Sequence, residues 1–456
     1  MASRIDLPPT PVTPLVRPFQ RFAAAEAAGG ILLLACAAVA LVWANSPAAA
    51  SYFALWQQEV TVGAGPLLIQ KPLLLWINDG LMAIFFFLIG LEIKREVLVG
   101  ELRSPRKAAL ALAAAVGGMA VPALLYLAVN AGGPGAGGWG IPMATDIAFA
   151  LGVLALLGKR APLALKIFLT ALAIVDDLGA VLVIAFFYTA KISTGALLGA
   201  GAFFAALVLM NRLGVRRTAV YVLLGIGLWV CFLKSGVHAT IGGVLLALTV
   251  PARGLLNAPA FLQKAHDYLY EVAEDARAGR VEPTADQSDA VHSLSVVTEA
   301  AQPPLTRMEH ALHGWVAFFI MPVFALANAG VAMGGDLGAL VANPVALGIV
   351  AGLVVGKPVG VFLLAWLAVK VGLAGLPAGV GWKQILGVAC LTGIGFTMSI
   401  FIASLGFAGD PVLLDSAKTG ILLASVLSGV LGFFLLARFS PDPVPAPAAA
   451  PAEPVA

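Results

Sequence analysis

The chain is predicted to be an all-α polytopic membrane protein of about 12 transmembrane helices. Its 456 residues are 60% hydrophobic and 11% charged, where a soluble domain carries about 25% charged residues. Apolar stretches long enough to cross a hydrocarbon core of about 30 Å recur from Ile31 to Leu436, without the alternation of a membrane barrel. Lys and Arg collect in every other connection, as the positive-inside rule requires of a chain that crosses repeatedly.

In chain order, residues 1–25 are rich in Pro and Ala and are expected to be a disordered cytoplasmic N-terminus. The transmembrane domain is expected over 26–438, with spans near 27–45, 73–99, 106–130, 141–158, 163–189, 194–212, 217–234, 237–251, 312–333, 344–371, 384–406 and 413–437. Arg17 and Arg21 before the apolar run Ile31–Val42 imitate a signal peptide, but the Pro-rich leader favours an uncleaved first span. Between Glu59 and Pro72, β-branched residues flank Gly-Ala-Gly-Pro, which predicts a short extracytoplasmic hairpin. Residues 254–306 are the long polar segment, read as a cytoplasmic loop insertion that is helical over AHDYLYEVAEDARAG and flexible after it. The tail 439–456 is again Pro/Ala-rich and expected to be disordered and cytoplasmic.

Basic clusters at Arg17/Arg21, Lys94 to Lys107, Lys159/Arg160, Arg212 to Arg217 and Arg253/Lys264 alternate with connections that carry few cations. That places both termini in the cytoplasm and requires an even number of spans. Cys36, Cys231 and Cys390 lie in apolar spans, with neither a disulfide framework nor metal spacing, and read as small core residues. No cofactor and no nucleic-acid partner is expected.

The chemistry sits where charge is most costly. Asp176 and Asp177 are adjacent within the apolar run Ile167–Phe187. A charge at the bilayer centre costs about 2.5–3.5 kcal/mol even on the lenient insertion scale, so a doublet there points to function. Asp146 and Lys357 share the expected midplane. Neighbours on a helix diverge by about 100°, so one aspartate can face a wet cavity while the other meets a partner helix. Lys357, in Gly356-Lys357-Pro358, is the natural counter-ion. Carboxylate oxygens suit a small hard cation, and protons compete for the same atoms. Thr145-Asp146-Ile147-Ala148-Phe149 and Thr392-Gly393-Ile394-Gly395-Phe396 echo each other in the fourth and eleventh spans. Each is set among Gly and Pro and should interrupt its helix, the mark of a transporter site, and seven spans between them would give an inverted repeat. Asp146 would lie near a helix N-terminus, with Lys357 and Thr145 supplying compensation. Asp79 is read as structural, Lys166 and Lys234 as interfacial anchors, and His238 as either a packed or a titrating histidine.

WGIPMATDIAFALGVLALLG, LKIFLTALAIVDDLGAVLVIAFFYT, LKSGVHATIGG, GKPVG and TGIGFTMSIFIASL together resemble the NhaA family of bacterial Na⁺/H⁺ antiporters over nearly all of residues 15–438. That family is itself a standing example of inverted-repeat transporters, so the repeat is not independent support. The resemblance implies crossed, unwound fourth and eleventh spans and electrogenic, alkaline-activated export of Na⁺, and of Li⁺, from the inner membrane. It implies Asp176 and Asp177 as the ion and proton site, Asp177 being the more direct Na⁺ ligand, and Lys357 as the partner of Asp176. It assigns Thr145 and Asp146 to the broken helix, Glu92, Glu309 and His310 to a cytoplasmic cluster linked to pH response, and His238 to a modulatory role. It makes hairpin 59–72 a homodimer contact. The acidic segment 254–306 departs from the family pattern. Two other readings are a cation channel, for which no repeated filter sequence is visible, and a membrane-embedded aspartyl enzyme using Asp146 and Asp177 as a dyad. The adjacent doublet and the intramembrane lysine favour a transporter over an enzyme.

Overall fold

The computed structural model describes residues 28–440 apart from 64, 66–67, 190–191, 278–284, 333–337 and 339–342. The expected disorder of 1–25 and of the tail beyond Ser440 falls outside the described residues.

Helices α1 (Ala28–Ala44) and α2 (Ala49–Gln57) lead into an antiparallel hairpin, β1 (Glu59–Val62) with β2 (Ile69–Pro72). Next come α3 (Leu73–Leu98), α4 (Pro105–Asn130), a 3₁₀ stretch Pro134–Met143, α5 (Ile147–Leu156), α6 (Leu163–Phe187), α7 (Thr194–Arg212), α8 (Thr218–Ser235) and the short α9 (Thr240–Thr249). The polar insertion holds α10 (Ala258–Arg277) and α11 (Ala285–Ala301). The chain closes with α12 (Pro304–Asn328), α13 (Pro344–Lys370), α14 (Trp382–Thr392), α15 (Phe396–Gly406) and α16 (Pro411–Phe439).

Among the described residues, eight helices are long and apolar enough to cross a membrane, and up to 11 spans result if each of three bent helix pairs counts as one. Reaching 12 needs α9 too, and its ten residues rise only about 15 Å. The protein is an all-α polytopic membrane protein. The bends fall between α1 and α2 (113°), between the 3₁₀ stretch and α5 (47°), and between α14 and α15 (43°). The last two are the interruptions expected in the fourth and eleventh spans.

Two expectations need correction. The second half of the insertion is helical: Ala290 and Val297 of α11 are buried, as is Ala265 of α10, so packing supplies what a polar sequence does not advertise. The ninth span begins at Pro304 rather than near 312, because Pro304 is pre-shaped for a first helical turn and Leu305 and Met308 are buried there.

The contacts divide the chain into two units. The first comprises residues up to 35, 106–176 and 331 onward. Its helices approach through glycines: a Cβ at Gly117 of α4 or Gly360 of α13 would strike the other's carbonyl, and one at Gly387 would press on Leu436. Small residues are how helices pack closely where lipid offers no hydrophobic drive. The second unit, 36–105 and 177–330, has an equally tight seam between α3 and α9, where Gly90 meets Ala247 and Gly243 meets the Ala83 carbonyl. In the same unit Leu73 N donates to Gln58 O (2.8 Å) and Trp76 Nε1 to Val60 O (3.0 Å), fixing the hairpin to the start of α3.

Candidate ion-binding site

The breaks bring the first unit's polar residues together. Ala144, Thr145 and Asp146 leave the helical path between the 3₁₀ stretch and α5, and Gly393 to Gly395 do so between α14 and α15. The two irregular segments satisfy each other, Asp146 N donating to Ile394 O at 2.7 Å. Non-helical backbone at membrane depth is tolerated only where protein or a cavity lines it.

Asp146 serves both breaks. Its Oδ1 accepts from Phe149 N (3.0 Å), capping α5, and its Oδ2 accepts from Thr397 N (3.1 Å) and from the Thr397 hydroxyl at the start of α15. One buried carboxylate therefore faces the positive ends of two half-helices, where negative charge is favoured. Ser425 Oγ of α16 accepts from Phe396 N (3.1 Å), and Ser399 Oγ donates to Ile141 O (2.8 Å).

Asp176 lies near the middle of α6, and its side chain is fully buried, as is that of its cation, Lys357. Lys357 Nζ is 2.7 Å from Asp176 Oδ2 and also donates to Met143 O, the last carbonyl of the 3₁₀ stretch. Thr145 Oγ1 lies 2.6 Å from the same Oδ2 and 3.1 Å from Thr392 O, so its hydrogen is shared between the carboxylate and the second break. Asp176 Oδ1 is buried and accepts no hydrogen bond. Beside it Gly118 presents no side chain, and a Cβ there would come within 4 Å of both Asp176 Oδ1 and Lys357 Cε. Burying two charges is tolerable only with close geometry and further hydrogen bonds, which Thr145 and Met143 provide. Asp177, the next residue on α6, is 2% exposed.

The other candidates occupy the second unit. Glu309 on α12 is buried and pairs with Arg95 of α3 at 2.9 Å, and Arg95 also reaches Glu96 at 3.0 Å. Glu92 is within charge–charge range of Glu309, Arg95 and Glu96. His310 is not brought into this group: it is exposed, with Nδ1 2.8 Å from Thr306 O one turn back. Asp79 is held by Lys71 of β2 (2.7 Å), while His238 Nε2 lies 3.6 Å from its other oxygen and His238 Nδ1 lies 2.8 Å from Thr240 Oγ1. Sequence reasoning missed Thr397, Arg95 and the Met143 carbonyl. A lone threonine in an apolar run was the only available signal for Thr397, and a backbone carbonyl offers none.

Comparison with known proteins gives the family resemblance of nearly the whole chain. The family profile described as Na⁺/H⁺ antiporter 1 matches residues 20–436. A Na⁺/H⁺ antiporter NhaA of Oleidesulfovibrio alaskensis is 57% identical, covering 94% of this chain and 96% of its own length. Proteins of the same description from Koribacter versatilis (51% identical; 94% of this chain, 93% of its own) and Pseudomonas putida strain GB-1 (50%; 93% and 98%) are similarly close.

Proposed function

The chain belongs to the Na⁺/H⁺ antiporter 1 family, and we propose that it works as a secondary antiporter that expels Na⁺ and Li⁺ while admitting protons, with Asp176 and Asp177 as the oxygens for which cation and proton compete. The observation that carries this reading is the fully buried Lys357–Asp176–Thr145 group, with an unsatisfied Asp176 oxygen, joined to two helix breaks and next in sequence to Asp177. Transporter sites of this design use broken helices to surround an ion with fixed dipoles, and the unwound carbonyls can take over part of its hydration shell. Asp177 is the direct Na⁺ ligand in this reading. Lys357 holds Asp176 when no cation is present. Thr145 and Asp146 compensate the charges of the crossing.

Admitting more protons than the Na⁺ expelled would draw on the membrane potential, about 2.3 kcal/mol per charge per 100 mV. Alkaline activation would act through Glu92 and Glu309 with Arg95, which lie together, and His238 would modulate it from its place beside Asp79. His310 belongs to this proposal only as an exposed neighbour. The alternating cations support an inner-membrane chain with both termini in the cytoplasm. Hairpin β1–β2, whose Val62 and Leu68 are exposed, is the proposed homodimer contact.

The test is Asp177→Asn in everted membrane vesicles. Na⁺-dependent proton release is expected to vanish while the protein keeps its yield and its elution profile in detergent. Wild-type activity in that variant would remove the site assignment.

A further inference from the structure

Helix α13 is not a regular helix where it delivers Lys357. Residues Gly352–Gly356 form a π turn, and the closing bond is made by Lys357 itself, whose backbone N–H donates to Gly352 O five residues back. In a regular helix that N–H would use Leu353 O. The Leu353 carbonyl is instead turned toward the second break, where it is the nearest atom a Cβ on Gly393 would meet. Both flanking glycines are in close contact with the first unit's prolines: a Cβ at Gly352 would press on the Pro142 ring, and one at Gly356 on Pro122 Cα. Pro142 lies three residues before Thr145, so the wide turn and the first break share a contact.

The local cause is readable in the chain. Pro358 has no N–H, and inside a helix its ring pushes against the carbonyl four residues earlier. Widening the preceding turn relieves that push. The same arrangement recurs in α12, where a π turn over Val316–Ile320 is followed by Met321 and Pro322, whereas the π turn over Ile77–Leu81 in α3 is followed by Met82 and Ala83, so proline is one cause of such a turn and not a general requirement. A π turn holds one extra residue, which changes the direction of everything beyond it by about 100° relative to an unbroken helix.

We propose that the Gly352–Gly356 π turn, imposed by Pro358, is a positioning device that aims Lys357 at Asp176 and Met143 and simultaneously turns the Leu353 carbonyl to the second break. The proposal rests on the reading of Lys357 as the partner of Asp176. With a regular helix of the same packing upstream, the lysine would point about 100° away and could not reach both oxygens.

The test narrows the turn without changing the number of residues, and then removes the extra residue. Pro358→Ala restores the N–H and relieves the ring, so the helix can take the regular register and swing Lys357 by about 100°. Val355 is 54% exposed, and deleting it in that background leaves Lys357 four residues after Gly352, where its N–H can close on the same carbonyl in a regular helix and the lysine regains its aim. Na⁺-driven proton flux in proteoliposomes is measured across pH for wild type, Pro358→Ala, Pro358→Ala with ΔVal355, Lys357→Ala and Pro358→Ala with Lys357→Ala. The expected result is that Pro358→Ala raises the Na⁺ KM on the order of tenfold or more and moves the pH profile to that of Lys357→Ala, as misplacement of a binding group does. Deleting Val355 in that background should restore KM and pH profile toward wild type, and adding Pro358→Ala to Lys357→Ala should cost nothing more. Wild-type KM and pH profile in Pro358→Ala, no recovery on deleting Val355, or additive losses with Lys357→Ala would each overturn the proposal. If Lys357→Ala itself behaves as wild type, the reading of Lys357 fails instead. Should Pro358→Ala not elute as a single folded species, Pro358→Ser takes its place with the same expected and overturning outcomes.

Discussion

Lys357–Asp176 and Lys71–Asp79 have the same N···O separation, 2.7 Å, yet they are different objects. The first pair is fully buried, with both side chains 0% exposed; in the second, Lys71 and Asp79 are 29% and 15% exposed. Water can replace either partner of the Lys71 pair, so that contact tethers the hairpin without storing much energy. Neither partner of the buried pair has that recourse. In a short ion pair cut off from solvent each charge depends on the other, and in the proposed function a cation or a proton takes over the role of the lysine.

The contrast sets a scale for experiments. Lys357→Ala leaves a buried carboxylate uncompensated and should cost about 3–5 kcal/mol, seen as a lowered thermal unfolding midpoint in detergent. Adding Asp176→Leu should recover most of that loss while leaving transport dead; no recovery would show that burial is not the source of the coupling. Asp146→Asn keeps the shape but gives an amide with one acceptor oxygen, which cannot serve Phe149 N and both Thr397 donors. A loss of about 1–3 kcal/mol and a weakened Na⁺ dependence are expected, measured by unfolding and by flux. Arg95→Ala leaves the largely buried Glu309 without its cation, but Arg95 itself is 39% exposed and water can enter. The stability change should be about 1–2 kcal/mol, with a displaced pH profile of transport as the more sensitive reading. Lys71→Ala should change stability by about 0–1 kcal/mol, and what effect it has should fade at high salt. A Lys71 effect as large as that of Lys357 would erase the distinction.

Much of this site was visible in the chain because its members are charges in apolar runs. Asp176, Asp146 and Lys357 stand out at once, Asp177 does so equally although its part in the site is a proposal, and the paired T-x-I-small-F segments located both breaks. Thr397 and the Met143 and Leu353 carbonyls did not stand out, since a neutral side chain or a backbone oxygen carries no marker of what it will face. The π turn before Lys357 was equally hidden: it is one hydrogen-bond register in a helix whose composition is ordinary, and only Gly356-Lys357-Pro358 hinted at it. His310 shows the opposite failure. It is next to Glu309 in sequence, but one step along a helix turns a buried residue to an exposed one, so adjacency there does not mean a shared environment. Helix α11 was missed because its support comes from packing on α10 rather than from its own propensity.

Composition and hydropathy alone establish a helical membrane protein, where its polar insertion lies, and which charges are too costly to be idle, because transfer into lipid is a property of each residue and its neighbours along the chain. Tertiary structure alone decides which oxygen meets which cation. Asp146 meets Thr397 across 251 positions and Lys357 meets Met143 across 214, and such distances are closed by helix packing, glycine contacts and one widened turn rather than by any local preference.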